Sequence, residues 1–379
     1  MIYFDNAATS LPKAPGVAEE ILKALKTCGN GSRSGHKPAI CASEYMYKCR
    51  EALSRMFHVQ NPENVIFTQN ATHALNIAVK GILKRGDHAV ISGYEHNAVL
   101  RPIYALNKKD AVEFTIAAAP LFDGDLLCEK MEKSIRKNTK CIICTHVSNV
   151  FGAIMPIERI DSICAKHGLI FIIDASQSAG AIPIDLRNFK SDVILCMPGH
   201  KSLLGPQGTG VLIVAKDTEL QTLIEGGTGS LSQDPNQPDF LPDRFESGTQ
   251  NAHGIAGLLK AVEYVNGIGA DRIHEHEIKL ARRMCDGLKQ IPGTKVYFDP
   301  VFKAQSGVIS AVFGASSEKV AGYLSDHDIC TRAGLHCSPL AHRTAGTEHT
   351  GTVRFSFSIF NTEKQVDTAI DIMMKMKEI

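Results

Sequence analysis

The sequence predicts an α/β protein built on a mostly parallel sheet covered by helices. Three observations predict it. Strand and helix signals alternate through most of the chain. The strand signals are near-continuous apolar runs, the pattern of strands buried on both faces. Several of those runs end on polar or turn residues, and in open parallel sheets the carboxyl ends of the strands are where ligands bind.

Taken in order, Asn64 to Thr68 reads as a strand and Thr72 to Leu83 as a helix. His88 to Ser92 is a strand, with a helix from about Ala98. Val112 to Ile116 (strand), Leu126 to Lys133 (helix) and Cys141 to Thr145 (strand) continue the alternation. Ile157 to Lys166 is a helix before the apolar strand Ile170 to Asp174, and the run from Asp192 to Leu195 precedes a Gly/Pro-rich turn. A helix over Ala252 to Val265 closes a large domain, and Ile268-Gly269-Ala270-Asp271 joins it to the next helix. Strands at Val308–Val312 and Val353–Phe357, with helices near Ser317–Leu324 and Glu363–Met376, predict a small α+β domain. Met1 to about Pro12 is too irregular for the large domain. The expected division is therefore a large domain over 13–265 and a small one from 1–12 and 266–379. Gly226 to Asp243, rich in Gly, Pro, Asp and Gln, reads as a long functional loop.

The 379 residues are too many for one simple core. With 44% hydrophobic and 21% charged residues the chain is an ordinary globular one. A net charge of +1 offers no electrostatic case for nucleic acid or a membrane surface as partner. No apolar run is long enough to span a bilayer and no signal peptide is evident, so the expected compartment is the cytoplasm. In a reducing compartment, most of the eleven scattered cysteines should be small buried hydrophobes. Cys141 and Cys144 have CxxC spacing, but on a strand that spacing sends them to opposite faces. No zinc pattern emerges, from these or from His336, His342 and His349.

The strand ends supply the candidate chemistry. After Thr68 comes Gln69-Asn70-Ala71-Thr72, opening a helix whose free N–H groups suit a phosphate; taken alone, Thr72 reads as an N-cap. After Ser92 comes Glu95-His96-Asn97, where an imidazole could stack on a pyridine ring; a lone His is more often structural. After Thr145 comes His146-Val147-Ser148-Asn149, whose amide suits a carboxylate or ring oxygen. Asp174-Ala175-Ser176-Gln177 ends the next strand, and Gly199-His200-Lys201 follows the one after. A strand-end lysine, together with a strand-end aspartate, is what pyridoxal phosphate (PLP) chemistry requires: Lys201 for the Schiff base, Asp174 for the pyridinium nitrogen. Each signal is weak alone. Five in sequence, each suited to one cofactor, are hard to assign to coincidence. A nicotinamide site fits worse, because no GxGxxG follows the first strand.

With these motifs, and with Tyr3 to Thr9, Phe245-Glu246-Ser247-Gly248-Thr249, Arg332-Ala333-Gly334-Leu335-His336-Cys337 and Arg354-Phe355-Ser356, the chain resembles the class V aminotransferase-like PLP enzymes of fold type I. Within them it is similar to the cysteine desulfurase and selenocysteine lyase family, in the subgroup with a short Arg-x-Gly-x-His-Cys segment. The resemblance implies a fold-type-I large domain with a seven-stranded-type sheet, plus a small α+β domain. It implies Lys201 as Schiff-base lysine, Asp174 as pyridinium partner, Gln177 as donor to the phenolic oxygen and His96 as the stacking ring. Thr72 and His200 are implied as phosphate ligands, and Thr249 as a threonine reaching the partner subunit's phosphate. Asn149 and Arg354 are implied as a carboxylate clamp for substrate, with Arg332 in the same set. Pro198 and Ala71 stand where the family tends to carry hydroxyl residues, which implies an altered phosphate cup.

Cys337 lies in a loop by composition, beside Arg332 and His336, which could favour its thiolate. The family match implies that it is the nucleophile. The expected reaction is the conversion of L-cysteine to L-alanine with a persulfide left on Cys337 for an acceptor protein, in a homodimer. Selenocysteine lyase is the alternative, as is a related PLP lyase or aminotransferase on another small amino acid; a lapsed scaffold conflicts with the intact lysine, aspartate and histidine. The short tether predicts modest activity without a thiol or acceptor. The stretch 338–350 is expected to form a surface loop near the site.

Overall fold

A computed structural model describes residues 1–31, 34–216 and 218–376. The chain opens with β1 (Ile2–Tyr3), α1 (Val17–Thr27) and α2 (Lys37–Phe57). An alternating series follows: β2 (Val65–Thr68), α3 (Ala71–Ile82), β3 (His88–Ser92), α4 (Asn97–Asp110), β4 (Glu113–Ala117) and α5 (Gly124–Lys133). It continues through β5 (Thr139–Thr145), α6 (Ile157–His167), β6 (Ile170–Asp174), β7 (Asp192–Pro198) and β8 (Gly210–Val214). These strands form one seven-stranded sheet in the order β2-β8-β7-β6-β5-β3-β4. All neighbours are parallel except around β8, which runs antiparallel to both β2 and β7. This is the mostly parallel, helix-covered sheet that the alternation predicts.

The sheet is buried on both faces. Alternate residues of the central strands feed one apolar cluster with Leu53, Phe151 and Leu258 and a second with Leu75, Val99 and Ile103. Cys141 belongs to one cluster and Cys144 to the other, so the CxxC pair does point to opposite faces.

Among the elements that the sequence reading leaves out are two long helices. In α1, Val17 and Ala24 face inward at a helical spacing of seven. In α2, Ala39, Ala42, Cys49, Ala52 and Leu53 do the same, behind an N-cap in which His36 accepts from Ala39 N. Both pack on α7 (Ala252–Ile268). A buried ion pair fixes α2 to the sheet. Arg50 Nη2 lies 2.6 Å from Glu246 Oε2, Glu246 Oε1 accepts from Phe67 N at 2.6 Å, and Arg50 also bonds to Val65 O. Glu246, part of the Phe245–Thr249 motif, is thus a tie between that motif and β2. Arg50→Ala would strand the carboxylate in the interior, so it is expected to cost about 3–5 kcal/mol, read as a lowered urea midpoint; a loss under about 1 kcal/mol would mean the pair is solvated.

The remaining elements are α8 (Ala270–Leu288), β9 (Lys295–Tyr297), β10 (Val308–Val312), α9 (Ser317–Asp326), β11 (Ile329–Cys330), β12 (Arg332–Gly334), α10 (Pro339–Ala345), β13 (Thr352–Ser356) and α11 (Glu363–Met374). They build a four-stranded antiparallel sheet, β12-β13-β10-β9, around a separate apolar core of Phe4, Leu280, Ile309, Leu324 and Phe355. The N-terminal β1 pairs with β11, and Phe4 lies in this core. The stretch expected as a surface loop over 338–350 is corrected: α10 occupies its first half, with Leu340, Ala341 and His342 buried, because these side chains face the body of the molecule. Residues 348–350 are exposed. No described helix is long and apolar enough to cross a membrane.

Glu277 of α8 lines a small cavity of about 20 Å³ with Asn6, His274, Ser306 and Ser358, room for about one water. His274 Nδ1 and Ser306 Oγ are buried there without a partner among the described residues. Burial pushes the Glu277 carboxyl up from 4.5 to about 8. The folded protein therefore holds a proton that the unfolded chain releases, and stability falls as pH rises from about 4.5 to about 8. Glu277→Gln is expected to flatten that slope and to gain on the order of 3 kcal/mol at the upper end. Urea midpoints of both proteins across that window check it, since buried Glu95 contributes its own slope to each; parallel curves would refute a buried neutral acid at position 277.

Candidate active site

The carboxyl ends of β3, β5, β6 and β7 and the N-terminus of α3 converge on one cavity of about 230 Å³. It is lined by Thr72, His96, Asn149, Asp174, Gln177, His200, Lys201, Arg332, His336 and Arg354, among others. Nearly every residue singled out in the sequence therefore meets in one place. Thr249 and Cys337 do not line it. Thr249 lines two other cavities, one with Gln69 and Gly210 and one with Gly29 and Gly31.

Lys201 follows β7 in a turn that the chain can make only at glycine. A Cβ on Gly199 would sit 2.2 Å from Thr209 Oγ1 and 3.0 Å from Leu258. The N-terminal segment pins the same turn: His200 O accepts from Ser10 N at 3.0 Å, from Thr9 Oγ1 at 3.1 Å and from Lys13 Nζ at 3.0 Å. Lys201 Nζ makes no hydrogen bond among the described residues. Burial pushes its amine down from 10.5 to about 8, against the opposing pull of Asp174. Asp174 is buried, and its Oδ1 accepts from Ser176 N at 2.9 Å.

His96 caps α4, its Nδ1 accepting from Ala98 N at 3.0 Å. Burial takes its imidazole down to about 4, so the ring is neutral at pH 7. His200 is neutral for the same reason, at about 4, and its Nδ1 lies 3.0 Å from Thr9 Oγ1. Thr72 is not the N-cap of α3. Asn70 holds that position and accepts from His73 N, which leaves Thr72 in the first turn, on the cavity wall. Gln177 lines the cavity while one amide N–H donates to Ala7 O at 3.0 Å.

Arg354 is 1% exposed, its fork held by Asp5 Oδ1 at 2.6 Å and by Asn149 O at 2.9 Å. Its Nε is buried with no partner among the described residues, a donor lacking an acceptor. Asn149 holds the cysteine segment. Its Nδ2 donates to His336 O at 2.9 Å, and its Oδ1 accepts from Ser338 Oγ at 2.6 Å. Asn97 N adds a bond to Cys337 O at 2.8 Å. Cys337 is exposed, at φ 58° in the left-handed region, next to His336 at φ 52°. Two consecutive non-glycine residues there need such fastening. Arg332 Nη2 lies 3.5 Å from the Cys337 sulfur. One expectation is corrected: His336 cannot favour a thiolate by charge. Its ring is buried between Arg332 O and His342, and burial takes it down to about 2. Arg332 is the cation beside the sulfur.

The aminotransferase class-V family model matches residues 2–368. The chain is 32% identical to a probable cysteine desulfurase of Pyrococcus abyssi, over 99% of this chain and 94% of that protein. It is also 32% identical to a probable cysteine desulfurase of Halalkalibacterium halodurans, over 100% of this chain and 93% of that one. The chain belongs to the cysteine desulfurase family of class-V aminotransferases. A solved apo cysteine desulfurase from Thermococcus onnurineus NA1 superposes with a TM-score of 0.91 at 33% identity, covering 98% of this chain and 94% of that one. The fold is thus the PLP-dependent fold type I, and the family's cofactor is PLP. The cavity of this cysteine desulfurase family member fits that group. It offers an unpaired amine, a buried carboxylate, a neutral imidazole and a helix N-terminus on one set of walls, with the orphaned Arg354 Nε beside them. Among the described residues no cluster could hold a metal ion.

Proposed function

We propose that the protein is a PLP-dependent cysteine desulfurase that converts L-cysteine to L-alanine and passes the sulfur through Cys337. The observation that carries this is the convergence of Lys201, Asp174 and His96 on one cavity whose wall includes Arg332 and His336, the latter preceding an exposed cysteine in a fastened turn. When bound, PLP supplies an aldehyde for imine formation and an electron-poor ring that accepts the pair left by a departing α-proton.

The chain's own groups do the rest. Lys201, near pH 8 in its amine equilibrium, is free enough of charge to attach the cofactor and then to take the α-proton as general base. Asp174 would pair with the pyridine nitrogen, and the neutral His96 ring would stack on the cofactor. Thr72 and His200 would hold the phosphate with the N-terminus of α3, and Gln177 would donate to the phenolic oxygen. Arg354 Nε, with Arg332, receives the substrate carboxylate, and Asn149 keeps the 336–338 turn in place. The Cys337 sulfur then attacks the substrate sulfur. An S–S bond would form as the Cβ–S bond breaks with its electron pair going to the carbon side, and one proton delivered to Cβ and one returned to Cα, the latter by Lys201, would complete the alanine that leaves.

The proposal extends to assembly. Thr249 lies outside its own chain's cavity, which suits a homodimer in which it reaches the partner's phosphate. The large domain is taken as 13–265 and the small one as 1–12 with 266–379, acting in the cytoplasm with a sulfur acceptor protein. Pro198 and Ala71 both line the cavity, so the phosphate cup has two fewer hydroxyls than the family's usual one. Faster PLP loss on dilution than from Ala71→Thr is the expected result, and equal retention would discard it. The deciding assay compares alanine formation from L-cysteine and from L-selenocysteine at matched concentration: turnover of selenocysteine alone would make the protein a selenocysteine lyase.

A further inference from the structure

Seven of the eleven cysteines are fully buried in the apolar cores. Of the four that are not, Cys337 has a role and Cys330 sits in β11. The other two are together. Cys28 caps the C-terminus of α1, and Cys41 lies in the second turn of α2. Both are partly exposed, and their sulfurs are 3.5 Å apart. The backbone makes this approach part of the fold: Gly29 N donates to Pro38 O at 2.9 Å, one residue from one cysteine and three from the other. Thr27 Oγ1 lies within 3.9 Å of both sulfurs. A disulfide needs sulfurs about 2.05 Å apart, so closure asks the two sulfurs to approach by about 1.5 Å.

We propose that Cys28 and Cys41 are a reversible dithiol–disulfide site. The oxidant is a low-molecular-weight disulfide of the glutathione class. One thiolate attacks it, forming a mixed disulfide and releasing one glutathione thiolate. The second cysteine thiolate then attacks the protein sulfur of that mixed disulfide, so that the Cys28–Cys41 bond forms and the second glutathione thiolate leaves. Two electrons pass from the cysteine pair to the external disulfide, and the two thiol protons go to water and the leaving thiolates. The bond closes a ring that carries Gly29 and Gly31, which wall the cavity shared with Gly248 and Thr249. Oxidation therefore stiffens one wall of that cavity, far in sequence from Cys337.

The test uses the reduced, full-length protein loaded with PLP. It is exposed to glutathione disulfide, blocked with N-ethylmaleimide, digested and analysed by mass spectrometry. The expected result is a cross-linked peptide joining Cys28 to Cys41, absent after dithiothreitol and absent in both Cys28→Ser and Cys41→Ser. Each variant should keep the circular dichroism spectrum of the parent, since both side chains are at the surface end of their helices. Recovery of Cys28 and Cys41 as separate maleimide adducts would overturn the proposal. So would either one carrying glutathione alone, or linked to a different cysteine.

Discussion

Lys201→Ala is expected to remove the near-visible absorbance of a lysine-linked cofactor and to lower turnover by on the order of 10⁴-fold or more. In the proposed function the same amine attaches the cofactor and moves the α-proton, so both functions would be lost together. Lys201 makes no hydrogen bond that a substitution would break, and its loss leaves the turn around Gly199 tied by Ser10 and Thr9. The variant should therefore fold, and its failure should be chemical. The parent enzyme carries a matching pH signature. Burial sets the free amine at about 8, and the neutral form is the one that attacks an aldehyde, so the rate at which the cofactor-free protein takes up added PLP should climb as pH rises toward that value. Absorbance spectra, borohydride trapping with peptide mapping, and a pH–rate profile check these points. A variant that stays yellow and traps the cofactor on another lysine would falsify the assignment.

Cys337→Ala is expected to keep the colour and lose sulfur release from L-cysteine by about 10³-fold, within the range seen when a positioned reacting group is removed. Cofactor binding should be unchanged, since Cys337 does not line the cavity that holds Lys201 and Asp174. Activity on L-selenocysteine can survive the change, because selenium leaves carbon more readily. Arg332→Ala should act in the same direction and more weakly, by removing the guanidinium 3.5 Å from the sulfur. The measurements are sulfide and alanine production, with and without a thiol acceptor, against the cofactor spectrum. Undiminished cysteine turnover in Cys337→Ala would end the nucleophile reading.

The strand-end half of the site was legible in the sequence because it is written locally. Asp174 and Lys201 each follow their own apolar strand within a residue or a few, and the parallel sheet aligns those ends without further instruction. What could not be read is written across distance. Arg354 is gripped by Asp5, 349 residues away, and the cysteine turn by Asn149, 187 residues from its acceptor on His336. No spacing rule links such positions. His336 was misjudged for a related reason: beside Cys337 in the sequence it looks like a source of positive charge, but burial against Arg332 O and His342 keeps it neutral. The helices α1 and α2 carried a legible amphipathic signal, Val17 with Ala24 and Cys49 with Ala52 and Leu53. Glu246 was noticed as part of a motif, but its partner Arg50 lies 196 residues upstream, so its structural role appears only in three dimensions.

In the proposed function, where Cys337 carries the sulfur, its fastened turn bears on how that sulfur travels onward. Both neighbours of the sulfur are anchored, His336 through Asn149 and the Cys337 carbonyl through Asn97. A cargo picked up there has no arm on which to swing out. Delivery then depends on the recipient's own reach: a visiting protein must present its thiol on a projection slender enough to come to the rim, and the geometry of that projection becomes the address by which the enzyme knows its client.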